Sequence, residues 1–375
     1  REYFIHSGNS ATDVGVSVLV ANVTSTTNVS FAVLVQGCEA GERLTGGAVV
    51  VWDSSPYDVG GNTGRKNVTS ASDTLAIAQP HIDTPLIVIG TSIVNTTGNA
   101  LAIGETITIR AIVRLPEANS PVNKLVIHLP SGGDDVVLEY VSSAVVTVGS
   151  RLSVTQTTLT ANISTAVWDF GGVSNTADNS ADDLDLITID CVAVLADNAA
   201  NVPGDLAQIT AVFTSSTGSS TANLTVLVVG PLLEIQVAPN VTHPVDAADA
   251  VKYTAVLRHA AGSTALAHDI VLAAPVHPHM LLVPGSVVIG VTGPGAVASA
   301  TVVQGQSPSD TQVQVTLDPL QLSQELHIEW VVQLLETAEA GELLASVLTA
   351  SYDSSPFNVS FNTGRAHVVT NATAV

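Results

Sequence analysis

Two phrases of this chain recur at one fixed distance, and that constrains the fold more than any other feature. "EAGE" stands at Glu39–Glu42 and again at Glu339–Glu342. The stretch Trp52–Arg65, which runs Trp, Asp and then "SSPYDVGGNTGR", returns 300 residues later at Tyr352–Arg365 as Tyr, Asp and then "SSPFNVSFNTGR". In both copies an apolar run precedes EAGE ("FAVLVQ", "VVQLLE") and another follows it ("GGAVVVWD", "ASVLTASYD"). The shared unit is therefore strand, EAGE turn, strand, SSP-to-NTGR loop, strand, over about 45 residues. Repetition at this scale implies like domains placed in series.

A degenerate third copy lies between them. "DLITIDCVAVLA" precedes "NAANVPGDLAQITAVFTSSTGSSTANLTVLVV", with Gly204-Asp205 where Gly-Glu stands elsewhere and a loop reduced to "TSSTGSS". The pitch is then about 150 residues, with boundaries expected near 78–86 and 228–235. This divides the chain into 1–80, 81–231 and 232–375.

Within each unit the pattern is all-β. "ETITIRAIVRL" (105–115) alternates Ile and Val with Thr and Arg, as a strand with one buried face should. "LITIDCVAVL" and "AVKYTAVLRH" behave alike, and Gly, Pro, Asn and Asp clusters recur every 8–15 residues, the spacing of sandwich turns. No stretch carries a capped 3.6-residue period. The expected fold is a series of Ig-like antiparallel β-sandwiches.

Charge sets limits on partners. With 33 acids against 11 bases the formal charge is −22, which excludes a phosphate-neutralising surface and disfavours nucleic acid and anionic membranes. The most apolar run, "LTVLVVGPLLEIQV", is interrupted by Gly230, Pro231 and Glu234 and is too short to span a bilayer. The sequence opens on Arg1, without a start Met or a signal peptide, and reads as a processed or trimmed product. Charged residues make up only 12% while apolar residues reach 46%, so sugar or neighbouring subunits should cover the surface.

Sequons supply the first of these. Nine of the 19 Asn residues stand in N-x-S/T: Asn22, Asn28, Asn67, Asn95, Asn162, Asn223, Asn240, Asn358 and Asn371. In a secreted protein such sites mark surface positions, and N-linked glycans are expected.

In the second unit the order "IGETITIRAIVRLPE", "NKLVIHLPSG", "LEYVSSAVV", "VWDFGGVSNTADN" and "LITIDCVAVLADN" carries a resemblance, as does "AADAVKYTAVLRHAAGSTALAHDIVLAAPVHPHMLLVPGSVVIG" in the third. It is similar to the Ig-like conserved repeat domain found in tandem in large surface and cell-wall proteins of bacteria, archaea and microbial eukaryotes. "VVGPLLEI" looks like that family's connector between copies. "LAAPVHPHML" departs from the family's Leu-Pro strand, and the family's Gly is missing before Ser142-Ser143. The resemblance implies tandem sandwiches with a structural or adhesive surface role and brings no catalytic residues.

The first unit is half a unit. Residues 1–75 match only about 301–375 and lack the strands equivalent to "GETITIRAIVRL" and "NKLVIHLP". A half sandwich exposes an apolar face and unpaired edges. Either upstream sequence has been removed or another chain completes the domain, and repeated completion of that kind gives a head-to-tail filament.

Other constellations point to no chemistry. Cys38 and Cys191 are 153 residues apart, so they form one bridge, bridge neighbouring chains or stay free, and no CxxC motif exists. Asp178, Asp182, Asp183 and Asp185 in "DNSADDLD" could suit Ca²⁺ but lack regular loop spacing, so a solvated acidic turn is the plainer reading. His277 and His279 in "VHPH" read as a rigid loop before they read as a metal corner, and no nucleophile elbow occurs. Trp52, Trp168 and Trp330 fit sheet and core positions better than a sugar-stacking platform. No enzyme activity and no cofactor is expected.

The SSP-to-NTGR segment should be the hairpin loop between the last two strands of a sandwich. Pro56 and Pro356 would stiffen it and Gly64 and Gly364 would release the chain into the final strand. Arg65 and Arg365 are expected to pair back to Asp53 and Asp353, each contributing about 0–1 kcal/mol if exposed. The sequence thus reads as a secreted, glycosylated, homo-oligomeric subunit of an extracellular fibre or filament. An adhesin stalk or a carbohydrate- or cell-binding module is the alternative.

Overall fold

The structure is a computed structural model that describes residues 3–7, 17–20, 28–30, 33, 38–54, 65–93, 96, 98–131, 136–178, 180–241, 244–295, 299–357 and 364–374. Among them no α-helix occurs, and one 3₁₀ turn at Asp183–Asp185 is the helical exception. Among the described residues no helix is long and apolar enough to cross a membrane. The chain divides into two compact units, Arg1–Cys38 and Glu39–Val375. In the first, Tyr3–Ser7 pairs antiparallel with Ser17–Val20.

The larger unit contains two sandwiches. In the first, one sheet runs in the order Thr158–Ala161, Thr165–Asp169, Asn123–His128, Leu206–Ser215, Gly218–Val229, Ala100–Ala102. The other runs Leu138–Val148, Leu186–Leu195, Thr106–Arg114, His81–Ile82, with Ile87–Thr91 also on the Thr106–Arg114 strand. The alternation read from the sequence sets which side faces inward. Ile107, Ile109, Ala111 and Val113 are buried while Thr108, Arg110 and Arg114 lie on the other face. They pack with Trp168, Phe213 and Ile189 in one continuous core. On the outer face Arg110 grips Asp190 of the neighbouring strand with two bonds of 2.7 Å, and Arg114 Nε donates to Asp83 at 2.8 Å.

The second sandwich has its own core. One sheet runs Leu233–Pro239, Ala250–His259, Glu325–Leu334, Met280–Leu282, with Val288–Thr292 also on the Glu325–Leu334 strand. The facing sheet runs Ser299–Gln304, Gln312–Asp318, His268–Pro275, Ala345–Asp353, Ala366–Ala374. Inside, Tyr253 stacks on Trp330 with ring centroids 5.2 Å apart. Both sheets contribute to the core around them.

The repeated unit has the same local geometry in both copies. Arg43–Asp53 pairs with Lys66–Ala76 so that Asp53 faces Lys66, and Ala345–Asp353 pairs with Ala366–Ala374 so that Asp353 faces Ala366. The two registers coincide when shifted by 300 residues. Ser54 N donates to Arg65 O at 3.1 Å and Arg65 N to Ser54 Oγ at 2.7 Å, and Ser354 and Arg365 repeat both bonds at the same lengths. In each EAGE turn the first Glu N–H donates to the second Glu carboxylate at 3.0 Å. Gly41 and Gly341 take φ of 78° and 83°, a left-handed conformation that a side chain disfavours.

The copies differ in what covers them. The Ala345–Asp353 strand also pairs with His268–Pro275, whereas Arg43–Asp53 and Lys66–Ala76 form a two-stranded sheet. Tyr352 is 4% exposed and its counterpart Trp52 46%. Trp168 and Trp330 are core residues as expected. Trp52 is not, because no opposing sheet lies over its hairpin among the described residues.

Candidate functional site

The second copy of the repeated loop is the joint between the two sandwiches. At its base Asp353, Ser354 and Ser355 are all buried. Ser354 Oγ accepts the Arg365 N–H and donates across the joint to Ile103 O at 3.0 Å. Gly104, next in the chain, has φ of 87°, and a β-carbon there would lie 2.5 Å from Ser355 Oγ and 2.7 Å from Gly364 N. Glycine is needed there twice over, for the backbone conformation and for the close approach. Pro356 and Gly364 flank the loop as read from the sequence, while Pro56, Gly64 and Asn358 lie outside the described residues.

Arg365 completes the joint with partners that the hairpin's own sequence does not contain. Its Nε donates to Asp197 Oδ1 at 2.8 Å, its Nη1 to Asn201 O at 3.0 Å and its Nη2 to Asn198 O. The expected pair with Asp353 is not made. Three acceptors on the 196–201 loop fit the fork of a guanidinium better than one carboxylate in its own hairpin. Asn201 holds that loop in place: fully buried, it accepts Val137 N at 2.7 Å and donates to Val137 O and Ala196 O. Arg65, by contrast, is exposed and has no ion pair among the described residues, so the Asp53 pair is not made either.

Glu105 ties the socket together from behind. Its buried carboxylate accepts Ala102 N at 2.8 Å, Ile93 N at 3.2 Å and the Thr96 hydroxyl, and burial pushes its pKa up against those donors. On the other side, Phe357 N donates to Asp269 Oδ2 at 2.6 Å, and burial raises Asp353, with Asp269 beside it adding to the shift. The connector is clamped as well. Tyr352 OH accepts Leu233 N at 3.1 Å, Gly230 N donates to Thr264 Oγ1 at 3.0 Å, and Pro203 packs where a β-carbon on Gly230 would stand. A cleft of about 140 Å³ remains beside the joint, lined by Ile93, Thr96, Ala265 and His268 among others. It is smaller than ordinary small-molecule sites.

The remaining candidates scatter. Arg151 sits among the acidic turn, paired with Asp178 and with Asp182 at 3.0 Å, and Asp182 caps the Asp183–Asp185 turn while Asp185 Oδ2 accepts its N–H. Asp178 and Asp182 thus face Arg151, and Asp185 is buried. His279 bonds Thr337 Oγ1 at 3.0 Å and does not converge with His277 on a metal-binding group, and no cluster of three or more His, Cys, Asp or Glu suited to a metal forms among the described residues. Cys38 and Cys191 are free thiols, and burial pushes Cys191 up to about 12. Of the sequons, Asn28, Asn162, Asn223 and Asn240 are exposed, Asn67 and Asn371 are half-buried, and Asn22, Asn95 and Asn358 lie outside the described residues.

No protein-family model matches the chain, and no curated protein matches it by sequence. The resemblance to the surface repeat domain therefore rests on the quoted motifs. Among solved structures, the chain is similar to the C-terminal domain of the AgI/II polypeptide BspA of Streptococcus agalactiae, at 11% identity over 79% of this chain and 100% of that one, with a TM-score of 0.41. It is also similar to the collagen adhesin CNA of S. aureus, at 14% identity, 78% and 93% coverage and a TM-score of 0.23. A third is BcpA, the major pilin subunit of Bacillus cereus, at 10% identity, 53% and 61% coverage and a TM-score of 0.29. At such TM-scores the likeness is loose, and the sandwich assignment rests on the sheets and cores of this chain.

Proposed function

We propose that this chain is a secreted, glycosylated structural subunit of an extracellular fibre, in which sandwiches are held in series by loop-in-socket joints. The joint at Ser354 and Arg365 is the observation that carries this reading. Three hydrogen bonds from one guanidinium, a buried serine bridge and a glycine with no room for a β-carbon resist bending, which is what a stiff spacer requires and what a flexible linker lacks. The two-stranded Arg43–Ala76 hairpin supports completion by another chain. Val50 is 59% exposed where its counterpart Ala350 is fully buried, and the edge equivalent to the one used by His268–Pro275 has no described partner.

Glycans belong to the same reading. Asn162 Oδ1 accepts Ser164 N at 3.0 Å in an exposed turn, and the Asn223 and Asn240 side chains use their oxygens as acceptors. Asn371 instead donates its Nδ2 to Ile235 O at 2.7 Å, which ties up the atom a glycan would need. Electron microscopy of the purified secreted protein should show filaments, and deglycosylation followed by peptide mapping should place sugar on Asn162, Asn223 and Asn240 but not Asn371. A monodisperse particle at every concentration, with saturable binding to a glycan or cell surface, would favour the adhesin alternative.

A further inference from the structure

The internal joints follow one rule. An EAGE-type end of one unit meets the SSP-type end of the next. Ala40 N, in the first EAGE turn, donates to Asn119 O at 2.9 Å, and a β-carbon on Gly41 would lie 2.6 Å from Thr217, which sits in the reduced "TSSTGSS" loop of the first sandwich. At the next joint the first sandwich presents Gly104, Asp197 and Asn201, three residues ahead of Gly204-Asp205, and receives Ser354 and Arg365 of the second. Among the described residues one end of each kind is left open: the Ser54–Arg65 loop base, and the far end of the second sandwich at Ala247–Asp249 and Glu336–Glu342.

That far end is built like the occupied socket. Gly104 N donates to Leu195 O at 2.8 Å and Leu195 N to Glu105 O at 3.0 Å, and Ala248 N donates to Leu334 O and Leu334 N to Asp249 O, both at 3.0 Å. Asp249 Oδ2 accepts Asp246 N at 2.8 Å just as Glu105 Oε2 accepts Ala102 N at 2.8 Å. These bonds align Gly104 with Ala248 and Leu195 with Leu334, so Asp197, which holds Arg365, aligns with exposed Glu336. Ala248 even keeps the left-handed backbone, at φ of 70°, where an alanine is unusual.

We propose that the Ser54–Arg65 loop base of one chain docks on the Ala247–Asp249 and Glu336 end of a second copy, with Arg65 taking Glu336 as Arg365 takes Asp197. The contact joins unlike surfaces, so it repeats from copy to copy and builds a filament unless the rotation per step closes a ring. It rests on the fibre reading and specifies which ends meet. Gly104 leaves no room for the β-carbon that Ala248 carries, so the docked contact gives up the close approach of the internal joint and rests on the Arg65–Glu336 pair. This joint is therefore looser than the internal one, and Ala248→Gly should tighten it.

The test is sedimentation and electron microscopy of the full chain as wild type, Arg65→Glu, Glu336→Arg and the double swap. Each single variant should weaken end-to-end association by about tenfold or more, and the double swap should restore most of it. Circular dichroism of each variant separates lost docking from lost folding. Filaments indifferent to both single variants, or a double variant no better than either, overturn this contact and leave the fibre reading standing. A wild type that stays monomeric at all concentrations overturns both.

Discussion

The hairpins Arg43–Ala76 and Ala345–Ala374 share a register, a loop-base hydrogen-bond pair and an EAGE turn, yet one stands open and the other is a core element. Local sequence is enough to set strand pairing and turn geometry in both. Burial is decided by a third strand and an opposing sheet, which only the second copy has among the described residues. A repeat therefore transmits its shape intact while its energetics depend on its neighbours.

The widest gap between the copies should appear on truncating the aromatic. Tyr352→Ala removes a buried ring stacked on His367 and the acceptor of Leu233 N, and should cost about 3–5 kcal/mol. Trp52→Ala, at the matching position, should change the isolated chain by about 0.5 kcal/mol or less. Denaturant titration followed by the buried Trp330 reads the first, and equal losses in both variants would dissolve the distinction. Arg365→Ala should cost about 1–3 kcal/mol through its three lost charge-assisted bonds, and Arg65→Ala nearly nothing in a monomer. Small-angle scattering should show the two sandwiches sampling a wider range of angles only in the first.

The smallest effect is in pH. Glu105 and Asp353, both at the occupied joint, are raised chiefly by burial, so the folded state holds their protons more readily than the unfolded one. Their contribution is fully present below the unfolded carboxylate values and is lost as pH rises through the folded ones. Asp83 runs the other way. The Arg114 hydrogen bond lowers it, giving stability above the ordinary carboxylate range that disappears in acid. Melting temperature should therefore rise modestly from neutral pH toward mild acid before falling. Glu105→Gln and Asp353→Asn should flatten the rise, and a rise unchanged by both would remove the joint as its source.

Much of the fold was legible because alternation is a local property. The strands Thr106–Arg114, Leu186–Leu195 and Ala250–His259 fall where Ile, Val and Leu alternate with Thr and Arg, and the repeated phrase does lie between two paired strands. The joint was not legible, because its partners are remote. Arg365 stands 168 residues from Asp197, and nothing in the hairpin's own sequence distinguishes that acid from nearby Asp353. The partner of the acidic turn was hidden for the same reason, since Arg151 lies some thirty residues before Asp182 and arrives there only through the fold. The best available signal was the arginine inside the repeated phrase, in a chain with only 11 basic residues.

The socket and the loop that fills it also differ in when they are made. Ile103, Gly104 and the 196–201 loop are synthesised with the first sandwich, whose core is complete by Val228, whereas Ser354 and Arg365 follow more than 150 residues after Asn201. The first sandwich can therefore fold and wait while the second is still emerging, since domains tend to fold as units in the order of synthesis. A chain that stops before its last two strands cannot close the joint. Angular alignment of the two sandwiches thus reports that translation has run through the whole repeat.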